Sequence, residues 1–474
     1  MARNHKSSKV VFTITNFGMF GAYQEPMLPD SSEFYPGCEY PQGSGVLHCY
    51  QGALWIGAIV GNDTLVSVGA DGWQNVFEMY PDMSPGEITR QSNRQNDPDF
   101  DSSAIADEEF VAVYFDTLSD PAITHADPFE ARPHIPLGLK IRQHSYSFGD
   151  SPDDDFILLR YTITNVGSNY LNGVYVATYF DTDIWHTFNR DGFRDDFTGS
   201  RWVSTFDGTD SLLVGYAADN DGDPSAEGEW NQYSARSVFS ATVLDPTGSQ
   251  NNGFNWWISN ATSCFDWGPR LLTHDRPFGT EAVGTPAGDR NKYYVMSNPE
   301  IDFNQLWAGA GVILADWFFP TQCLTHPYMD DIRFLMSFGG SDLAPGDSMQ
   351  FALAIVLGEN LHANPEDWSL FDSLNPEAFY NTLNFADLDG NVREAQRLYR
   401  QLFYGIAGDF DNSGTVDLKD VVAFVNYLFA HGTAPQFRNA ADVNGDCRIN
   451  LSDIVLLVRY LYHGGSLADS GCVE

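Results

Sequence analysis

The residues best suited to chemistry sit in two twelve-residue stretches near the C-terminus. DFDNSGTVDLKD occupies 409–420 and DVNGDCRINLSD occupies 442–453, thirty-three positions later. A loop that wraps a divalent cation places oxygen donors at its positions 1, 3, 5, 7, 9 and 12. The first stretch offers Asp409, Asp411, Ser413, the Thr415 carbonyl, Asp417 and Asp420; the second offers Asp442, Asn444, Asp446, the Arg448 carbonyl, Asn450 and Asp453. All are hard oxygens, which suits Ca2+. Gly414 holds position 6, where the chain must turn sharply, and Cys447 stands there in the second loop. Val416 and Ile449 at position 8 are the apolar plugs that join paired loops. Chance rarely yields this pattern once; twice in register, it specifies calcium.

A shorter stretch repeats part of the rhythm. DNDGDP sets Asp219, Asp221 and Asp223 at alternate positions around a glycine, with Asp181, Asp183, Asp195 and Asp196 not far off in sequence to complete a cage. Beyond these, catalytic motifs are missing: there is no GxSxG, no HExxH and no phosphate-binding glycine loop. With 64 acidic residues, no single pair of carboxylates, Asp266 included, stands out for glycoside hydrolysis. His134 and His186 read as structural or surface residues. Trp256, Trp257, Trp267, Trp307 and Trp317 carry faces on which a sugar ring can stack, although in a β-rich chain most tryptophans are core. Asn62, Asn260 and Asn450 open N-x-[ST] triplets, a motif common by chance.

The elements that position these residues are mostly strands. VVFTIT (10–15), ALWIGAIV (53–60) turning into Thr64–Val68, FVAVYF (110–115), LGLKIRQHSYSF (137–148) and FILLRYTITN (156–165) read as strands. GVYVATYFDTDI (173–184), SLLVGYAA (211–218), RSVFSATVL (236–244) and SMQFALAIVLG (348–358) follow, with Gly, Asn, Asp and Pro in the turns. Helical spacing begins only at Pro376–Tyr404, and it recurs after each acidic loop. Val421, Phe424, Val425, Leu428 and Phe429 follow the first loop; Ile454, Leu457, Val458 and Leu461 follow the second. The pattern predicts a mainly β protein. An antiparallel β-sandwich body, one elaborated sandwich or two adjoining ones, spans 1–375 with a loop-rich insertion at about 187–335. A connecting helical segment covers 376–404, and a small all-α calcium-binding domain covers 405–474.

Composition narrows the setting. Lys and Arg total 25 against 64 Asp and Glu, a net charge of −39. Such a surface repels phosphates, so nucleic acid and anionic lipid are poor partners. No run of apolar residues is long enough to span a membrane. The six cysteines, Cys38, Cys49, Cys264, Cys323, Cys447 and Cys472, are even in number, scattered and free of CxxC spacing. That fits three disulfides in an oxidising compartment, with neighbour pairing (38–49, 264–323, 447–472) one of fifteen connectivities. The chain reads as secreted, its signal removed.

The twin loops, each running straight into a helix with no full helix before it, resemble a type I dockerin domain over about 406–466. The resemblance implies a calcium-folded module that plugs into cohesin domains through loop positions 10 and 11, here Leu418, Lys419, Leu451 and Ser452. Cys447 departs from the glycine at position 6 and strains that turn unless a bond to Cys472 supports it. Ser413 is a weaker ligand than Asp or Asn. Stretches of the body such as DDFILLRYTITNVG and DIRFLMSFGGSDLAPGD are similar to uncharacterised secreted bacterial β-sandwich proteins that end in dockerin or sorting domains; that likeness carries no catalytic residues.

The reading taken is a secreted, calcium-binding structural or cell-surface assembly protein whose C-terminal module attaches or caps the body. The alternative is a dockerin-borne carbohydrate-active enzyme or carbohydrate-binding protein acting on extracellular polysaccharide. The body runs through REAQRLYRQLFYG into the module without a Pro/Thr/Ser-rich spacer, which favours the first. Partners to expect are a cohesin-type domain, a polysaccharide, or copies of the same chain in a homopolymer, with VVFTIT adding to a neighbour's sheet edge.

Overall fold

In a computed structural model of the chain, the described residues are 1–474 except 24–33, 73–76, 82–86, 122, 125, 128–131, 190, 209, 246–251, 259–285, 303, 311–330, 373–374, 465–466 and 468–474. They form two compact units: Met1–Val203 with Leu212–Asn391, and Ser204–Ser211 with Val392–Glu474. The division falls within the helix Ala386–Phe403.

The first unit is a sandwich of two sheets whose strand pairs are antiparallel. The eight-stranded sheet centres on Phe156–Asn165, flanked by Leu139–Ser147 and Ser348–Gly358. In the eleven-stranded sheet, Gln51–Val60, Leu171–Thr182 and Ile332–Leu343 lie side by side. Alternation assigns their faces. Leu54, Ile56, Val176, Phe180 and Phe334 meet Leu159, Tyr161, Phe239, Phe351 and Leu353 of the other sheet in one buried cluster. The opposite face of the larger sheet is buried as well. There Trp55, Ala177, Tyr179, Trp257 and Leu335 pack against Val295 and Met296 of the helix Asp289–Ser297. Trp55 and Tyr179 stack at 5.3 Å. Burial on both faces explains the unbroken apolar run ALWIGAIV.

Several elements escape the sequence reading, among them the strands Phe197–Ser204, Gly253–Ile258 and Ile332–Leu343 and the helix Asp289–Ser297. The segment 376–404 holds the turn Glu377–Tyr380 and the helix Ala386–Phe403. Val11–Thr15 is not a free arm. It is buried along its length and pairs with Ala2–His5, Met19–Phe20 and Cys38–Glu39, so its hydrogen bonds are spent inside its own sheet.

Trp256 and Trp257 are fully buried, which removes them from any sugar platform. His134 is buried against Glu78 at 3.0 Å. The pairing of Cys38 with Cys49 is corrected: both are buried free thiols, and the Cys49 sulfur points to the Asp181 carbonyl at 3.6 Å. Cys447 is disulfide-bonded. Cys264, Cys323 and Cys472 lie outside the described residues, as do Asn260, Asp266, Trp267 and Trp317.

Candidate metal centre

In the second unit each acidic loop doubles as the start of a helix. Asp417 caps Leu418–Ala430 by accepting the Lys419 N–H, while Asp420 accepts the Asp417 N–H at 2.7 Å. Asn450 caps Leu451–His463 by accepting the Ser452 N–H at 2.8 Å, and Asp453 accepts the Asn450 N–H at 2.9 Å. These are two capping boxes at matching positions. Positions 9 and 12 are therefore fixed by helix-start chemistry before any ion is considered.

The front of each loop is set by its first aspartate. Asp409 accepts N–H groups from Ser413 at 2.8 Å and Gly414 at 2.7 Å. Asp442 accepts those of Asp446 at 3.1 Å and Cys447 at 3.0 Å. Position 12 reaches back to position 3: Asp420 accepts the Asp411 N–H at 3.1 Å, and Asp453 the Asn444 N–H at 3.3 Å. Gly414 turns at φ 85°; Cys447 takes the same left-handed region at φ 63°, where a side chain is strained. Thr415 and Arg448, whose carbonyls hold position 7, are exposed, as are Ser413 and Asp446.

This wrapping gathers like charges. Asp409, Asp411 and Asp420 each bring a carboxylate oxygen within 4.8 Å of the others. Burial, with the charges of Asp420 and Asp411, pushes Asp409 up to about 6 against the pull of its backbone donors. Burial likewise raises Asp420 and Asp453, the latter also facing Asp442 and Asp446. Converging carboxylates, two of the three buried, with oxygen-only donors fit a hard divalent cation.

Behind the loops lies a core that repeats at the same interval. Phe410 and Val443, Val421 and Ile454, and Phe424 and Leu457 are buried together, with Val416 and Ile449 packed beside them. The segment 433–441 supplies only the single turn Arg438–Ala441. Leu418, Lys419, Leu451 and Ser452 are exposed. The sequence reading missed the rest of that outer face. Phe429 belongs to it rather than to the core, and Val422, Val455 and Tyr462 join it. Their thirty-three-residue spacing was the available signal.

The first unit holds two further carboxylate groups. Asp181, Asp183 and Asp331 bring oxygens within 4.8 Å of one another, and Arg333 meets them, its guanidinium 2.8 Å from Asp181 and bonded to Asp331. Asp219, Asp221 and Asp223 form the other group. An open groove of about 820 Å3 is lined by Tyr23, Phe34, Glu39, Leu47, Trp185 and Phe188 among others. Its residues come from short strands and loops far apart in the chain, so no spacing in the sequence announces it.

The dockerin type I domain model matches residues 407–462. No curated protein matches the chain. Among solved structures, a putative aldose 1-epimerase from Escherichia coli K12 aligns over 76% of this chain and 99% of its own at 8% identity, with a TM-score of 0.27. An amine oxidase from Aspergillus nidulans aligns over 70% of this chain and 50% of its own at 10% identity, with a TM-score of 0.21. Likenesses this weak carry no statement about fold or activity. Type I dockerin domains bind calcium and dock onto cohesin domains. Residues 407–462 of this chain, with their twin loops and duplicated core, are a type I dockerin domain.

Proposed function

We propose that each loop holds one calcium ion, that the ions fold the C-terminal module, and that this module attaches an extracellular, non-enzymatic assembly body to a cohesin-type domain. The ligands are Asp409, Asp411, Ser413, Thr415, Asp417 and Asp420 in one loop, and Asp442, Asn444, Asp446, Arg448, Asn450 and Asp453 in the other. One observation carries the attachment reading. Leu418 and Leu451 are 54% and 56% exposed, Val422 and Val455 54% and 61%, and Phe429 and Tyr462 65% and 62%. A duplicated apolar face turned to solvent costs solubility and fits a partner better than a cap. Lys419 and Ser452 differ between the halves, but the apolar pairs match, which favours docking in either of two orientations.

The disulfide-bonded Cys447 supports an oxidising location. Among the described residues no helix is long and apolar enough to cross a membrane. The test is binding of the full chain to a panel of cohesin domains, in calcium and in chelator. Binding should require calcium, weaken less than about tenfold for Leu418→Asp or Leu451→Asp alone, and fall at least about a hundredfold for both together, since either half then lacks its anchor. A folded, calcium-loaded chain that binds no cohesin overturns the reading.

The aromatic groove favours a second reading, in which the body holds a polysaccharide strand. Phe188 is 80% exposed there, and aromatic faces suit sugar rings. Glu39 is the one carboxylate among its described lining residues, so the groove supports binding better than hydrolysis, which needs two. Loss of glycan-array binding on Phe188→Ala would support it; a chain that binds no glycan sets it aside.

A further inference from the structure

We infer that the body carries its own divalent-cation site, calcium by its donor chemistry, in a cage of Asp195, Asp196, Asp219, Asp221 and Asp223. The cage lies where the chain leaves one sheet for the other. Trp185–His186 belongs to the larger sheet; Asp195 and Asp196 follow it and lead into Phe197–Ser204 of the smaller. Asp219–Asp223 follows Ser211–Ala218, also of the smaller sheet.

The geometry is that of half-used carboxylates. Asp219 is fully buried; its Oδ1 accepts the N–H groups of Asp221 and Gly222, and its Oδ2 has no hydrogen-bond partner. Asp196 is fully buried; its Oδ2 accepts the Ile184 N–H at 2.8 Å, and its Oδ1 has no partner. Asp223 gives Oδ1 to the Asn189 amide at 2.7 Å and leaves Oδ2 sealed from water without a partner. Asp221 accepts the Asp223 N–H at 2.8 Å. Three of these residues, Asp219, Asp221 and Asp223, bring oxygens within 4.8 Å of one another. In each fully described case one oxygen is fixed by the protein and the other is left for something else.

That something must be positive. An uncompensated buried carboxylate costs several kcal/mol. Among the described residues, the neighbouring basic groups do not supply the balance: His186 bears on Asp223, the buried His362 ring meets the Asp219 backbone carbonyl rather than a carboxylate, and Arg333 bonds Asp181 and Asp331. Burial strips Asp219, Asp196 and Asp195 of solvent while neighbouring carboxylates face them. The backbone is wound for convergence: Gly222 and Asp223 stand at φ 75° and 54°, and Asp223, like Cys447, tolerates a left-handed turn that a side chain ordinarily avoids. Five carboxylates with oxygen-only donors suit Ca2+, which takes six to eight oxygens at 2.3–2.6 Å.

The experiment counts calcium on the full chain by equilibrium dialysis and elemental analysis. Asp409→Ala with Asp442→Ala silences the dockerin loops; that variant should retain one calcium per chain, and its body should melt higher in calcium than in chelator. Adding Asp221→Asn and Asp223→Asn should remove the ion and the calcium-dependent shift. A silenced chain that keeps its β-sheet circular dichroism yet binds no calcium overturns the proposal, as does equal melting in calcium and chelator. Should the fourfold variant fail to fold, the silenced chain alone decides. The count separates this site from the dockerin loops, since failure of those loops leaves one ion and failure of the cage leaves two.

Discussion

The dockerin loops and the aspartate cage of the body use one chemistry and two constructions. Both open with oxygen donors at alternate positions, 409, 411 and 413 or 442, 444 and 446 in the loops, 219, 221 and 223 in the cage. The loops then finish the job locally, twelve residues from start to end, with the last ligands doing duty as helix caps. The cage is completed by Asp195 and Asp196, which precede it by more than twenty residues and arrive through the sheets. A locally closed site can fold a small module by binding its ion; a site closed through strands depends on a scaffold that a large apolar core already holds. On the proposals above, calcium makes the module and only trims the body.

Chelation should separate the two most strongly. Two ions at free concentrations about a hundredfold above their dissociation constants contribute about 2.7 kcal/mol each, roughly the whole stability of a module this small. In EDTA the C-terminal helices should melt and limited proteolysis should cut first within 405–441, while the strands of the body persist. Cleavage that starts in the body, or at an unchanged rate, breaks the comparison. Next in size is Trp55→Ala. Trp55 is fully buried, stacks on Tyr179 and donates its indole N–H to the Ala70 carbonyl at 2.7 Å. Its removal should cost the body about 3–5 kcal/mol, and the same amount in calcium and in chelator. A cost confined to chelator would show that the ion, not the core, organises the sheets.

Acid gives a third contrast, confined to the body. His48 is fully buried, its Nε2 2.7 Å from the Ser237 hydroxyl. Burial pulls its imidazole down from 6.5 to about 3, outweighing the hydrogen bonds at Cys38 and Val46. Between those values the unfolded chain binds a proton that the folded chain refuses, so stability falls as pH falls, by about 1.4 kcal/mol per unit. His48→Gln should flatten that slope by one proton between pH 6 and roughly pH 4, read from urea melts followed by tryptophan fluorescence. Parallel slopes for variant and parent would place the titration elsewhere.

How much of this could be read from the sequence follows from the same contrast. The outline of the loops was legible, because their acidic residues, turns and helix starts all lie within twelve positions. The alternating strands, such as Leu139–Ser147 and Phe156–Asn165, were legible because one face is buried and the other wet. Ile332–Leu343 was hidden: its first seven residues are all buried, and Gly339 and Gly340 interrupt it at positive φ. Asp289–Ser297 was hidden for the opposite reason, a nine-residue helix beginning DRNK that earns its place only by packing Val295 and Met296 on the sheet. The partner face was half legible. Helical periodicity marks apolar residues but cannot tell an inner stripe from an outer one when a helix carries both, as Phe424 and Phe429 show.

The smallest expected effect sharpens the comparison inside the module itself. The loops differ at position 5, where Ser413 stands against Asp446. The Ser413 hydroxyl is spent within its own loop, 3.2 Å from the Thr415 carbonyl, and it brings no charge. Calcium affinity rises with the count of charged ligands, so in a chain with the second loop silenced by Asp442→Ala, Ser413→Asp should bind calcium roughly tenfold tighter, about 1.4 kcal/mol. Without calcium the sign must reverse, because a further carboxylate then joins Asp409, Asp411 and Asp420, which already repel one another within 4.8 Å. Calorimetric titration reads the first effect and helix melting in chelator the second. A gain in both conditions would mean that the new side chain acts as a turn-former rather than a ligand. A gain in calcium with a loss in chelator places position 5 on the ion.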